Sequence, residues 1–388
     1  MSTNPRPSIG TLFVSFLRLG ATAFGGPSMV AYIRDMAVVR KKWLDDETFR
    51  DGVALCQTIP GATAMQTAAY VGLKTRGTIG ACASFIGFGL PAFLLMMTLS
   101  ALYAQMHALP VVLTAFAGLQ AIIVAIVANA TLSFAKNSIS SWQHACIAGV
   151  AAALFGLSLN PLIVIVLAAL GGLVLVKSRP IPPHSPVDPV HGYPATKSLL
   201  FLVSGSIVAF LALYLFRPIL FDLAALMFRI DLFAFGGGFA SIPLMYHEIV
   251  DVRHWMDGPT FLNGIVLGQV TPGPIVITAT FVGYWLQGFL GGLIATASVF
   301  VPSFTMVIAL APVFDKLRAS PYFRKAIGGI LCSFVGLLLT VTIRFAGNVH
   351  WDMSSIILAS TALGALLLKV DILWVVIVGT IVSVIVMR

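Results

Sequence analysis

Long apolar stretches separated by short polar segments run along almost the whole chain. About thirteen of them approach or exceed the length of a helix that crosses a bilayer, which is roughly 20 residues. Examples are 9–33, 78–105 and 288–314, whereas the short stretches within 142–176 and 353–387 also fit tilted pairs or re-entrant segments. Several stretches carry Gly and Pro near their centre, where these residues interrupt a helix. The pattern predicts an all-α integral membrane protein with about thirteen transmembrane passes and broken helices.

The same block of residues occurs twice, about 211 positions apart. The repeated pairs are Phe24-Gly25-Gly26-Pro27 with Phe235-Gly236-Gly237-Gly238, Gln57-Thr58-Ile59-Pro60-Gly61 with Gln269-Val270-Thr271-Pro272-Gly273, Trp43 and Asp45 with Trp255 and Asp257, and Arg18 with Arg229. A membrane chain made of two such halves has the organisation of a secondary transporter, whose site lies at the repeat interface.

The repeat divides the chain into four parts. Residues 1–176 form a first transporter repeat, 177–197 a Pro- and His-rich linker, 198–217 an extra transmembrane span, and 218–388 a second repeat. With six passes per repeat plus the extra one, equivalent residues are separated by an odd number of passes, so the repeats are expected to be inverted. The excess of Lys and Arg in the loops that would face inside favours this topology.

Composition limits the class of protein and the source of energy. Hydrophobic residues make up 59% of the chain and charged residues 10%, which indicates a protein embedded in a bilayer. The net charge of +9 is attributed to loop bias, so no nucleic-acid role is expected. The four cysteines are scattered, and neither a metal site nor a cofactor is expected. Without a GxxxxGK(S/T) loop, transport would draw on an ion gradient or the membrane potential.

The helix breaks suggest a site for an anion. Gly and Pro free backbone N–H groups inside the membrane, and the N-terminus of the half-helix that follows attracts negative charge. We therefore expect four half-helix N-termini to point at a shared region. The predicted substrate-binding residues at these breaks are Gly25, Gly26, Ser28, Pro60, Gly61, Thr63, Gly236, Gly237, Thr271, Pro272 and Gly273.

Two arginines and two glutamines extend the predicted site. Arg18 and Arg229 each lie two helical turns before a motif Gly, where a guanidinium could bind an oxyanion in a bidentate fashion. Alternatively, they extend along the lipid to the membrane interface. Gln57 and Gln269 each precede a Pro by three residues and could donate amide hydrogens to the same solute, or could cap carbonyls freed at the break.

The acidic residues have weaker interpretations. Asp231, Glu248 and Asp222 are the coupling-ion candidates, because they are the acids in or near the spans of the second repeat that could titrate. Glu248 also belongs to a group with His247, Asp251 and His254 that is interpreted as a solvated helix end. Asp45 and its repeat partner Asp257 are expected to cap helices, each after a Trp at the membrane interface.

The duplicated Phe-Gly-Gly break, Trp-(Leu/Met)-Asp element and Gln-x-x-Pro-Gly break together resemble the chromate ion transporter family. The resemblance covers nearly the whole chain and is strongest over 13–95 and 224–306. It implies homologous antiparallel halves joined through an extra span, and chromate efflux from the cytoplasm. The halves differ at Pro27, which is Gly238 in the second half, and at Ala62, which is Pro274.

The expected function is secondary active export of chromate by alternating access, in a multi-pass protein of the cell (inner or plasma) membrane. A sulfate or general oxyanion transporter is the alternative, because both ions are tetrahedral dianions. An intramembrane enzyme is less favoured, since the duplicated block holds neither His nor paired acids. Chromate or sulfate, the lipid bilayer and a second copy of the chain are the candidate partners.

Overall fold

The computed structural model describes residues 7–24, 28–176 and 195–386. These residues form sixteen α-helices: α1 Ile9–Thr22, α2 Ser28–Arg34, α3 Asp46–Thr58, α4 Thr63–Met106, α5 Pro110–Ser138, α6 Trp142–Gly156, α7 Pro161–Leu175, α8 Ala195–Phe216, α9 Pro218–Phe233, α10 Gly238–Tyr246, α11 Gly258–Val270, α12 Thr278–Leu310, α13 Phe314–Ala319, α14 Pro321–Asn348, α15 Met353–Leu367 and α16 Ile372–Val386. Two π-helical turns, Asp35–Arg40 and His247–Val252, continue α2 and α10, and a 3₁₀ turn, Ile275–Ile277, precedes α12.

All four predicted helix interruptions are present. We call residues 59–62 and 271–274 the first and second Pro-Gly breaks, because α3 ends before the one and α11 before the other. Residues 23–27 and 234–237 are the Gly-Gly breaks, which follow α1 and α9; Gly25, Gly26 and Pro27 lie outside the described residues. The Gly at each Pro-Gly break has a positive φ, +111° at Gly61 and +115° at Gly273, which a side chain would strain.

Helices α4 and α12 each fold back on themselves as a tight helical hairpin. The turn of α4 lies at Arg76 and Gly77, so this helix is two segments joined by a sharp kink. The backbones of the two segments touch, since a Cβ on Gly72 would lie 2.2 Å from the carbonyl oxygen of Gly80. The turn of α12, at Gln287 and Gly288, repeats this geometry. The second arm of each hairpin corresponds to a predicted apolar stretch, 78–105 in the first half and 288–314 in the second.

The element between the breaks is also repeated, including its predicted cap. Asp45 Oδ1 accepts from the Thr48 N–H at 2.7 Å, and Asp257 Oδ1 accepts from the Thr260 N–H at the same distance. Both caps are therefore confirmed. Trp43 is 5% exposed and is largely enclosed by protein, so its location at a membrane interface stays a prediction.

The compact units of the fold are not the two halves of the sequence. The first unit comprises 1–100, 182–241 and 271–317, and the second comprises 101–181, 242–270 and 318–388. Each unit takes helices from both halves. Within the second unit, α14 packs on α6 and α7, while α5 packs on α15 and α16. Helices of one repeat therefore pack on those of the other, and the repeat boundaries at 176 and 218 stay a prediction about sequence.

In the described part of the chain, five helices are long and apolar enough to cross a membrane, with each of the two kinked hairpins counted as one helix. They are Thr63–Met106, Pro110–Ser138, Thr196–Phe216, Ile275–Leu310 and Pro321–Asn348. Five shorter apolar helices accompany them: Ile9–Thr22, Trp142–Gly156, Pro161–Leu175, Met353–Leu367 and Ile372–Ile385. This all-helical architecture is that of a multi-pass membrane protein. The count of thirteen passes and the inverted orientation of the halves stay predictions.

Candidate functional site

All four helix breaks belong to the first compact unit. Among the predicted site residues in this unit, Pro60, Gly61, Pro272 and Gly273 are buried. Ser28 is half-buried, and its hydroxyl donates to the carbonyl oxygen of Phe24 at 2.9 Å, across the Gly-Gly break. Most of the residues that the sequence predicts for the site therefore lie in one compact unit of the fold.

The breaks of one half are bound to the breaks of the other by two equivalent hydrogen bonds. The Gly61 N–H donates to the Ala234 carbonyl oxygen at 2.9 Å, and the Gly273 N–H donates to the Ala23 carbonyl oxygen at 3.0 Å. Backbone groups freed by each interruption are thus satisfied by the opposite interruption, as a low-dielectric interior requires. These two N–H groups are engaged, so Gly61 and Gly273 shape the breaks rather than offer donors to an anion.

Two helix N-termini lie side by side and keep donors available. A Cβ on Gly237 would lie 3.4 Å from Thr63 Oγ1, so the start of α10 adjoins the start of α4. The first-turn N–H groups of α4, at Thr63, Ala64 and Met65, have no acceptor among the described residues. The same holds for Gly238 and Phe239 at the start of α10. Such a pair of N-termini can hold an anion through backbone donors and the helix dipoles.

The two predicted arginines lie in different environments. Arg18 is on the exposed side of α1, whereas Arg229 is half-buried on α9, four residues before the helix ends. Both lie in the first unit. The exposure of Arg18 also fits a side chain that extends along lipid to the interface. Arg229 is the better placed of the two to act inside the protein.

The two predicted glutamines differ as well. Gln57 is exposed near the end of α3. Gln269 is half-buried near the end of α11 in the second unit, and its Nε2 is buried without a hydrogen-bond acceptor among the described residues. Thr271, which follows after one residue, contacts the sulfur of Met96 through its hydroxyl at 3.8 Å. Only Gln269 therefore has an enclosed amide donor available.

A polar cluster at the first Pro-Gly break was not predicted as a unit. Ser303 Oγ accepts from the Ala62 N–H at 3.2 Å and donates to Asp231 Oδ2 at 2.7 Å. Gln66 Nε2 donates to the Pro60 carbonyl oxygen at 2.5 Å. The sequence signal for Ser303 and Asp231 was their mismatch with Ala92 and Gly20 at the equivalent positions of the first half.

The three coupling-ion candidates differ in burial and in their neighbours. Asp231 is completely buried at the end of α9, while Asp222 is exposed on the same helix. Glu248, in the second unit, is 9% exposed, with Oε2 3.6 Å from Arg253 Nε.

The interpretation of the His247 group as a solvated helix end is wrong for His247 and Glu248, which are both buried. Asp251 is half-buried and accepts from the guanidinium of Arg344 on α14. His254 is exposed, as expected. No group of three or more potential metal ligands occurs in the described part of the chain.

Comparison with known proteins adds evidence independent of this geometry. The family model described as Chromate transporter matches residues 10–173 and 221–384. An uncharacterized transporter of Methanocaldococcus jannaschii is 44% identical over 359 residues, covering 92% of this chain and 89% of that protein. A chromate transport protein of Cupriavidus metallidurans is 29% identical over 372 residues (95% and 90%), and one of Pseudomonas aeruginosa is 28% identical over 362 residues (88% and 82%). No solved structure matches the chain.

Proposed function

Because this chain belongs to the chromate transporter family, we propose that it exports chromate from the cytoplasm across the cell membrane by alternating access. Relatives of similar length from two bacteria are named as chromate transport proteins. The gradient or potential that drives export acts on the dianion itself or on an ion carried with it, since the chain has no nucleotide-binding loop.

The adjoining starts of α4 and α10 are the observation that supports an anion substrate most directly. Five first-turn N–H groups without a protein acceptor lie there, on half-buried segments that begin at Thr63 and Gly238. We propose that a tetrahedral dianion accepts from these groups. Arg229 adds a positive charge from α9, in the same compact unit.

In this proposal, the part of the protein that moves is a compact unit and not one half of the sequence. All four breaks belong to one compact unit, which is built from both halves. We propose that the bound anion is carried as part of this unit, and that the inverted relation of the halves gives the inward-open and outward-open states equivalent geometries.

Transport into inside-out vesicles tests the proposal. We expect labelled chromate to accumulate in vesicles that hold the protein and to persist against moderate sulfate. Suppression by an equal amount of sulfate would indicate a general oxyanion carrier, and absence of uptake by folded protein would refute the substrate assignment.

Arginine variants test the site. Arg229→Ala should weaken chromate binding by about ten- to a hundredfold, which corresponds to loss of a charge-assisted hydrogen bond of roughly 1.5–3 kcal/mol. Arg18→Ala should weaken chromate binding less, because Arg18 is exposed. The matched control is Arg217→Ala, which removes an exposed charge at the start of the same helix as Arg229. Equal effects of Arg217→Ala and Arg229→Ala would contradict a specific role of Arg229.

A further inference from the structure

Asp231 is a completely buried carboxyl group that is only half satisfied. Its Oδ2 accepts two hydrogen bonds from Ser303, from the backbone N–H at 2.8 Å and from the hydroxyl at 2.7 Å. Its Oδ1 is buried and has no donor among the described residues. An ionised carboxylate with a bare oxygen in a dehydrated interior is costly, and a proton on that oxygen removes the charge. A proton on Oδ1 leaves both bonds to Oδ2 in place.

The carboxyl group is connected to the first Pro-Gly break by two routes. Ser303 Oγ, which donates to Asp231, also accepts from the Ala62 N–H immediately before α4 begins. In addition, Asp231 lies one turn before Ala234, whose carbonyl oxygen accepts from the Gly61 N–H. A change of charge on Asp231 is therefore transmitted to the start of α4, where the candidate anion donors lie.

A second unsatisfied atom lies at the same place. Gln66 Oε1 is buried without a donor, and it and Asp231 Oδ1 are the two buried side-chain oxygens in this condition in the described part of the chain. A Cβ on Gly61 would lie 1.9 Å from Ser303 Oγ and 2.9 Å from Gln66 Nε2, so these side chains crowd the break together. Gln66 Oε1 and Asp231 Oδ1 are both hydrogen-bond acceptors without a donor, and a proton bound here would provide the missing hydrogen.

The other half forms the equivalent break without this chemistry. Gly20 and Ala92 occupy the positions that correspond to Asp231 and Ser303, while the Gly273–Ala23 hydrogen bond is kept. Formation of a Pro-Gly break therefore does not require the acid and the hydroxyl. One half nevertheless keeps Asp231 and Ser303, although burying an acid is costly, which indicates that they do more than hold the break together.

The helices packed on α9 bring few charges towards Asp231. The packed helices are α8 and α12. Their titratable or charged residues, together with those of α9, are Lys197 and Tyr214 on α8, Tyr284 on α12, and Asp222 and Arg229 on α9. The segment 59–63 at the start of α4 has none. The interactions of the Asp231 carboxyl group are those with Ser303. An anion bound at the start of α4 would thus have a stronger electrostatic interaction with Asp231 than these residues have.

We propose that Asp231 is the proton site of this transporter, and that proton and dianion bind together. This inference rests on the function proposed above. Ionised Asp231 repels a dianion at the α4 N-terminus, and protonated Asp231 does not, so each ligand raises the affinity for the other. The proton enters with the anion from the cytoplasmic side and leaves with it on the other side, and one negative charge moves per cycle in place of two.

The pH dependence of chromate binding tests the proposal. In the alkaline range, where free chromate is a dianion, the affinity of the wild-type protein should fall with rising pH by up to about tenfold per pH unit. Asp231→Asn stays neutral and keeps an acceptor for Ser303, so its affinity should remain high and independent of pH. Asp315→Asn, which removes an exposed acid on α13 in the same unit, is the matched control and should follow the wild type.

Proton uptake by the wild-type protein provides a second test that needs no variant. A pH-indicator dye in weakly buffered detergent solution should report uptake of up to about one proton per chromate bound. Chromate binding without proton uptake, or a pH dependence that Asp231→Asn retains, would overturn the assignment of Asp231. Failure of the wild-type protein to bind or transport chromate would instead overturn the proposed function.

Discussion

Gly273 in the second Pro-Gly break allows a quantitative test of how the breaks are built. Its backbone has φ +115°, and its N–H donates to the Ala23 carbonyl oxygen at 3.0 Å. A Cβ added at this position would lie 2.8 Å from the Cβ of Ala92, closer than two carbon atoms can approach without displacement. The substitution Gly273→Ala therefore adds a strained conformation and a steric overlap to one site.

The two costs can be estimated separately. A non-Gly residue held in this backbone region costs about 1–3 kcal/mol. The overlap with Ala92 adds about 1–3 kcal/mol, the usual cost of inserting a methyl group into a packed interior. Gly273→Ala should therefore destabilise the protein by roughly 2–6 kcal/mol, a large part of the 5–15 kcal/mol typical of a folded protein.

A double-mutant cycle with Ala92→Gly separates these terms. Ala92→Gly alone should cost about 1 kcal/mol, because it places Gly inside α4. Combined with Gly273→Ala, it removes the overlap, so the pair should be more stable than the sum of the single effects by about 1–3 kcal/mol. The free energy of unfolding is measured in mixed micelles by titration with SDS.

The reasoning fails if Gly273→Ala costs less than about 1 kcal/mol, because the strained conformation alone accounts for that much. Additive effects in the cycle would show that residues 92 and 273 do not touch. The substitution Ala365→Gly, on α15 in the second unit, provides a control for the intrinsic cost of Gly within a helix.

Two further predictions concern the cap and the topology. Asp45→Ala should cost about 1 kcal/mol of unfolding free energy through loss of its bond to the Thr48 N–H. Burial raises the pKa of Asp45, but the hydrogen bonds from Thr48 lower it by more, so this pKa lies below its ordinary value of 3.8. The stabilisation is thus present above that value and is lost as pH falls through the lowered pKa, where the wild type and the variant should converge in denaturation measurements. Reporter fusions after Lys74 and after Gln287, at the turns of the two hairpins, should report opposite sides of the membrane; reports from the same side would refute inversion.

The breaks were predictable because their signals are local. Gly and Pro inside an apolar stretch interrupt a helix wherever the stretch lies, and both Pro-Gly breaks occur where the sequence places them. The caps at Asp45 and Asp257 are local for the same reason, since donor and acceptor are three residues apart. Periodicity and turn chemistry within one segment are enough for such features.

The partners of the freed backbone groups were not predictable. Gly61 bonds to Ala234 and Ala62 bonds to Ser303, 173 and 241 positions away along the chain. The repeat predicts where breaks occur, but not that each is completed by the opposite half. The packing of α14 on α6 and α7 is similarly non-local, so the sequence halves did not predict the compact units.

The reciprocal bonds between the breaks have the arrangement of a two-fold dimer contained in one chain. Each half supplies the donor that the other lacks, as Gly61 and Gly273 show, so two separate copies of a half-length ancestor could meet the same requirement only by pairing. Identical copies must carry a given residue twice or not at all. Two halves with different sequences are free of that constraint, and Asp231 with Ser303, where the other half has Gly20 and Ala92, is a difference that a pair of identical copies could not carry.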